Sequence, residues 1–101
     1  MNSTHRPENN EEKIQTALKI AVEFPHGLYQ HYKGGLYTTL SVAIEEASVQ
    51  AVVVYRSHEN GALWTRPWAE FTRLIEFQGR QVPRFRWLGD SKQVNPDDKR
   101  G

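Results

Sequence analysis

The residues best suited to chemistry lie in two short stretches of the sequence. Residues 27–37, GLYQHYKGGLY, hold three tyrosines and His31 around a pair of glycines. Residues 64–68, WTRPW, place Arg66 two positions after Trp64. Aromatic rings pack against flat or apolar groups, and a guanidinium presents a planar fork of donors to a carboxylate or phosphate. Together the stretches are typical of a site for a flat or apolar ligand that carries an anionic group.

These two stretches are far apart in sequence, and we expect the fold of the domain to bring them together. We therefore predict one ligand-binding site made of His31, Tyr32, Tyr37, Tyr55, Trp64 and Arg66. Four tyrosines exceed what so small a domain can bury with every hydroxyl satisfied, so part of this aromatic surface should be exposed. A structural role is an equal alternative, in which Arg66 pins the turn at Pro67 to the sheet by a cation–π or capping contact.

Catalysis and metal binding have little support in the sequence. No Asp or Glu lies beside His31 to orient its ring, and no second histidine stands at metal-ligand spacing. Glu70 is a lone acid in the aromatic region, and the chain has no cysteine. We predict no catalytic residue, no metal and no cofactor, and an enzyme that uses His31 is the third hypothesis.

The basic residues suggest a nucleic-acid surface as the second hypothesis. Arg84 and Arg86 alternate with Phe85 and Trp87, a composition typical of single-strand binding. Residues 1–50 carry four basic and six acidic side chains, a balance of 4 − 6 = −2, whereas residues 51–101 carry nine and six, a balance of 9 − 6 = +3. The net charge is only +1, so we favour a solvated outer face over phosphate contacts at Arg84 and Arg86.

Length and composition predict one domain in the cytoplasm. The 101 residues suffice for a single modest core, and the absence of cysteine fits a reducing compartment. No apolar run approaches the roughly 20 residues of a membrane span, and no signal peptide opens the chain. We expect no membrane partner, and we expect disordered tails at residues 1–10 and 90–101 because both are polar.

A helix is predicted over residues 11–23. Its apolar residues Ile14, Leu18, Ala21 and Val22 recur at helical spacing, and Glu11 and Glu12 suit a helix N-terminus. This apolar stripe must be covered by the rest of the chain, which we slightly favour, or by a second copy in a homodimer.

The remaining chain is predicted to form strands. Gly34 and Gly35 can take the positive φ of a tight turn, and residues 36–44 alternate as a strand with Leu36, Thr38, Leu40, Val42 and Ile44 on its core face. A strand is predicted over residues 49–56, which is apolar on both faces in its middle. Further strands are predicted over residues 62–66, 75–77 and 82–88, with a helical turn over residues 68–74 and a tight turn at Gln78 and Gly79.

The motifs HYKGGLY, VVYR, GALWTRP and VPRF, in this order, resemble the bacterial domain-of-unknown-function family 1653 (DUF1653) over about residues 27–88. The resemblance implies an SH3-like small β-barrel over residues 27–89, with about five strands and a short helical turn before the closing hairpin. It supplies no established activity. The fold class predicted is therefore mainly β with an N-terminal helix. The function predicted is a non-enzymatic binding module for a peptide, a protein or a small anionic ligand.

Overall fold

The computed structural model describes residues 10–90, which form two helices and seven strands. The tails predicted to be disordered fall almost wholly outside this range. The elements in chain order are α1 (Asn10–Glu23), β1 (Leu28–His31), β2 (Leu36–Glu45), β3 (Gln50–Ser57), β4 (Leu63–Pro67), α2 (Trp68–Phe71), β5 (Leu74–Phe77), β6 (Arg80–Pro83) and β7 (Phe85–Gly89). A mainly β domain with an N-terminal helix is thus confirmed.

The described strands form one five-stranded sheet and one separate hairpin. The sheet has the order β4-β3-β2-β1-β7, and β5 pairs with β6, all antiparallel. Strands β4 and β7 are the two edges and are not hydrogen-bonded to each other. The described sheet is therefore open, and the closed barrel implied by the resemblance is not found.

The predicted closing strand over residues 82–88 is two strands that belong to different sheets. Pro83 ends β6, because proline has no amide hydrogen to continue a ladder. Arg84 lies at the junction, where its amide donates to the Arg73 carbonyl (3.0 Å) and its carbonyl accepts from the Tyr32 amide (2.9 Å). The chain then enters β7 and pairs with β1 from Phe85 onward.

A bulge in β2 divides this strand into two parts with different core faces, and the predicted core face is correct at Val42 but wrong before the bulge. The register with β3 shifts between Thr39 and Ser41, so Leu40 is the extra residue. Before the bulge Tyr37 and Thr39 face the core, and after it Val42 does. Leu36, Leu40 and Ile44, which were predicted to be buried, are instead substantially exposed.

The core lies on the concave face of the sheet and is mostly aromatic. Its buried side chains are Phe24, Tyr29, Val53, Tyr55, Phe71 and Phe85. Phe71 and Phe85 are stacked with ring centroids 4.1 Å apart, and the other aromatic rings meet them mainly edge to face. Helix α2, shorter than predicted, positions Phe71 in the centre of this cluster.

Helix α1 packs on β2 and β3, but through a different face than predicted. Ala17 is its buried residue, and Phe24, just beyond its end, enters the core. A small alanine lets the helix backbone approach the sheet closely, whereas Leu18 remains 46% exposed and Val22 85% exposed. The predicted stripe is therefore not the packed face. Neither described helix has the length and apolar character needed to cross a bilayer.

Candidate functional site

An aromatic pocket of about 190 Å³ lies on the concave face of the sheet, beside the core. It is lined by His31, Tyr37, Tyr55, Trp64, Arg66 and Phe85. Five of the six residues predicted as ligand contacts thus surround one cavity. Tyr32 is the exception, because its ring lies elsewhere.

Strand register explains why these residues meet. Tyr55 on β3 lies directly opposite Trp64 on β4, and Val53 lies opposite Arg66. Directly opposed residues of an antiparallel pair share a face, and Val53 and Tyr55 are buried in the core. Trp64 and Arg66 must therefore point to the concave side.

The other wall of the pocket comes from the strands at the opposite side of the sheet. His31 on β1 is paired with Phe85 on β7, and their ring centroids lie 4.9 Å apart. Tyr37, the second residue of β2, meets both Tyr55 (5.4 Å) and Phe85 (5.6 Å) edge to face. These rings form a rigid apolar wall, since each is fixed by two or more aromatic neighbours.

Arg66 supplies the fixed charge of the pocket. Its guanidinium lies 5.8 Å from the Phe85 ring centroid, and its Nε lies 3.5 Å from the Tyr55 hydroxyl, at the limit of a hydrogen bond. Its nearest carboxylate is Glu70, at 3.8 Å between Nη1 and Oε1, with both side chains partly exposed. These contacts orient the guanidinium loosely and leave most of its five donors available to a ligand.

His31 adds a second donor to the same pocket. The Lys33 amide donates to His31 Nδ1 at 3.1 Å, so the neutral ring carries its hydrogen on Nε2. Burial lowers the pKa of His31 from its ordinary value. The positive charges of Arg66, Arg84 and Lys33 lower this pKa further, which means that the ring sits in a positive potential.

The turn between β1 and β2 fixes this arrangement. The Gly34 amide donates to the His31 carbonyl at 2.7 Å, and Gly34 takes a φ of +112°. Gly35, for which a positive φ was also predicted, has none. One glycine in an unusual conformation is therefore enough to reverse the chain beside His31.

Tyr32 and the predicted arginine pair occupy other places. Tyr32 turns away from Arg66, and its ring packs edge to face against Phe77 at 5.1 Å. Arg84 is half-buried, and its Nε donates to the Glu70 carbonyl at 3.2 Å. Arg86 is exposed on β7, where it donates to Gln30 Oε1 at 3.0 Å. The two arginines therefore do not form a common surface.

Sequence reasoning missed Phe85 as a pocket residue. Its place in VPRF, between two arginines, suggested only an alternating strand, and the pairing with His31 depends on the long return of β7 to β1. Within residues 10–90 no group of three or more His, Cys, Asp or Glu side chains converges to hold a metal ion. The pocket therefore offers hydrogen-bond donors and aromatic surface.

Comparison with known proteins places this site in a family. The family model described as "Protein of unknown function (DUF1653)" matches residues 27–87, which include every residue of the pocket. A crystal structure of a DUF1653 protein from Bordetella bronchiseptica is similar, with a TM-score of 0.63 and 29% sequence identity, over 69% of this chain and 94% of that one. Among curated proteins none matches the chain. Because the family model covers residues 27–87, the chain belongs to the DUF1653 family.

Proposed function

We propose that this DUF1653 protein is a non-enzymatic binding module, and that the aromatic pocket receives a carboxylate-bearing or phosphate-bearing group of a peptide, a protein or a small ligand. The observation that carries the proposal is the pairing of donors with aromatic walls in one cavity. Arg66 and the Nε2–H of His31 are both donors, and a ligand that satisfies them must present acceptors.

The volume of the pocket limits what can enter it. Drug-sized and cofactor ligands occupy clefts of roughly 300–1,000 Å³, whereas this cavity measures about 190 Å³. It fits one protruding group, such as a side chain or chain terminus, better than a whole cofactor. The half-exposed indole of Trp64 at the rim can cover the apolar part of that group.

The state of His31 argues for binding over catalysis. A general base needs a free lone pair aimed at the substrate. Here the Nδ1 lone pair accepts the Lys33 amide, so the other nitrogen carries the proton. An enzyme that uses His31 would first have to change tautomer, and no carboxylate contacts the ring among the described residues to stabilise an imidazolium.

The finer fold assignment belongs to the same proposal. An SH3-like barrel left open along one side is supported by three features: the meander from β1 to β4, the bulge that bends β2, and the return of the last strand to β1 after a helical turn. We also keep the cytoplasm as the proposed compartment, on the ground that the sequence has no cysteine.

The test of the proposal compares variants of Arg66 by binding and by melting temperature. The probes are N-acetyl-phenylalanine and its uncharged amide, beside a panel of nucleotides and acidic metabolites, and the readout is tryptophan fluorescence. Arg66→Lys should weaken binding of the carboxylate about tenfold, because lysine lacks the planar fork. Its melting temperature should change little, since a partly exposed ion pair contributes about 0–1 kcal/mol.

Two controls make the result specific. Arg56→Lys alters an exposed arginine that does not line the pocket and should leave binding unchanged. Trp64→Phe should remove the fluorescence response if the ligand reaches the rim. If Arg66→Lys and Arg66→Ala both melt early and no probe perturbs the wild-type fluorescence, Arg66 is structural and the proposal is wrong.

A further inference from the structure

A second, larger cavity lies at the β1–β2 turn and adjoins the aromatic pocket, because His31 lines both. This turn groove has a volume of about 400 Å³, and its lining includes Gln30, Tyr32, Lys33, Phe77, Pro83 and Arg86. Gln30 pairs with Arg86 across β1 and β7, one position away from the inward pair of His31 and Phe85. Neighbouring positions of a strand point to opposite faces, so Gln30 and Arg86 lie on the convex side of the sheet.

The groove combines aromatic surface with two unpaired cations. The half-buried rings of Tyr32 and Phe77 meet edge to face at 5.1 Å. Lys33 Nζ lies 5.7 Å from the Tyr32 ring centroid, and Arg86 is held in place by Gln30. In residues 10–90 no carboxylate forms an ion pair with Lys33 or Arg86, and no acidic residue lines the groove.

The charge around this end of the molecule has the same sign. Residues 72–89 carry four arginines and one glutamate, a balance of 4 − 1 = +3. Four acidic residues lie on other elements: Glu11 and Glu12 on α1, and Glu45 and Glu46 at the end of β2. The small net charge of the chain therefore hides a local basic surface, and local charge is what attracts an anion.

We infer that the turn groove binds a nucleotide unit, with the phosphate between Lys33 and Arg86 and the base against Tyr32, Phe77 and Pro83. A nucleotide joins a flat ring to a strong anion, which is the combination that this lining complements. The nucleotide can be free or part of a single strand, since both carry the same chemistry. This site goes beyond the proposed function, because none of these five residues lines the aromatic pocket.

The experiment measures anisotropy of a fluorescent short oligothymidylate with the full chain over a range of salt concentrations. Lys33→Ala with Arg86→Ala should weaken binding about tenfold at low salt and should lower the slope of log K against log salt by about 0.7, because the protein no longer neutralises the one phosphate that these two cations share. Tyr32→Ala should weaken binding about tenfold because the base loses its stacking partner, whereas Tyr32→Phe should keep it. Melting curves confirm that these surface variants are folded.

The control for net charge is Lys13→Ala with Lys19→Ala, which removes two cations from α1 and should leave binding unchanged. Arg66→Lys should also leave it unchanged, so this site and the aromatic pocket succeed or fail separately. Competition by adenosine monophosphate at similar affinity identifies a free nucleotide as the ligand, and its failure to compete identifies a strand; both support the inference.

Three results would overturn the inference. The first is binding of neither oligothymidylate nor adenosine monophosphate at low salt. The second is an equal loss of affinity in the α1 control pair, which would indicate general charge attraction. The third is binding of an oligoglutamate as tight as that of the strand and unaffected by Tyr32→Ala, which would assign the groove to an acidic protein partner.

Discussion

Gly27 lies where the backbone leaves no room for a side chain. A Cβ added at Gly27 would lie 2.2 Å from the Gly89 carbonyl oxygen, more than about 1 Å closer than ordinary van der Waals contact. Gly27 also has a φ of +141°, which L-residues rarely adopt. Because the obstacle is backbone, it cannot be relieved by moving a side chain.

The close contact and the positive φ together set how much Gly27→Ala should lower the free energy of unfolding. Forcing the atom into a packed site costs about 1–3 kcal/mol, and the positive φ adds about 1–2 kcal/mol. A total of about 3 kcal/mol lowers the melting temperature of a domain of this size by roughly 12–24 °C. Thermal unfolding followed by circular dichroism measures this directly.

Gly61→Ala is the matched control, because Gly61 has a φ of +75° but no atom within 4 Å of its added Cβ. This substitution should lower the free energy of unfolding by about 1 kcal/mol, because only the positive φ disfavours alanine there. If Gly27→Ala and Gly61→Ala melt at the same temperature, the close approach of Gly27 to Gly89 is wrong, and with it the register of β1 on β7.

Three further predictions concern other parts of the molecule. Val49 has a φ of +56°, so Val49→Asn should raise the free energy of unfolding by about 1 kcal/mol in a denaturant titration, and an unchanged midpoint would refute the strained turn. Lowering the pH from about 7.5 to 5 should reduce stability, because burial lowers the folded-state pKa of His26 and His31 below the unfolded value of 6.5, and replacing both with glutamine should flatten the curve. Leu18→Asp should convert a homodimer into a folded monomer in sedimentation, whereas a wild-type monomer would show that the exposed stripe of α1 has no such partner.

Local patterns were enough to predict most elements and much of the pocket. Strand β3 was recognisable because apolar residues fill both of its faces, and the turn at Gln78 and Gly79 because glycine suits a positive φ. Trp64 and Arg66 were predicted to share a face because they are two positions apart on a strand. The pairing of β3 with β4 then confirmed that this face carries Tyr55.

The errors came from features that no short pattern encodes. The bulge at Leu40 has no residue signature, since it is set by how β2 bends over the core, and it reversed the inward face of the strand. Tyr32 was placed with Arg66 because the first hairpin was expected to meet the strand of Trp64, but the chain has left β1 at that point and turns the ring toward Phe77. Closure of the barrel was inferred from the resemblance and depends on contacts between β4 and β7, which are distant in sequence.

Strands β5 and β6 form a hairpin between Arg73 and Arg84 that is not part of the five-stranded sheet. The hydrogen bond between these two residues closes its base, and its tip is a two-residue turn in which Gln78 and Gly79 both have positive φ. A hairpin of another length or sequence could be grafted onto this base without touching the five-stranded sheet. Such a graft would rebuild one wall of the turn groove and would replace none of the residues that line the aromatic pocket.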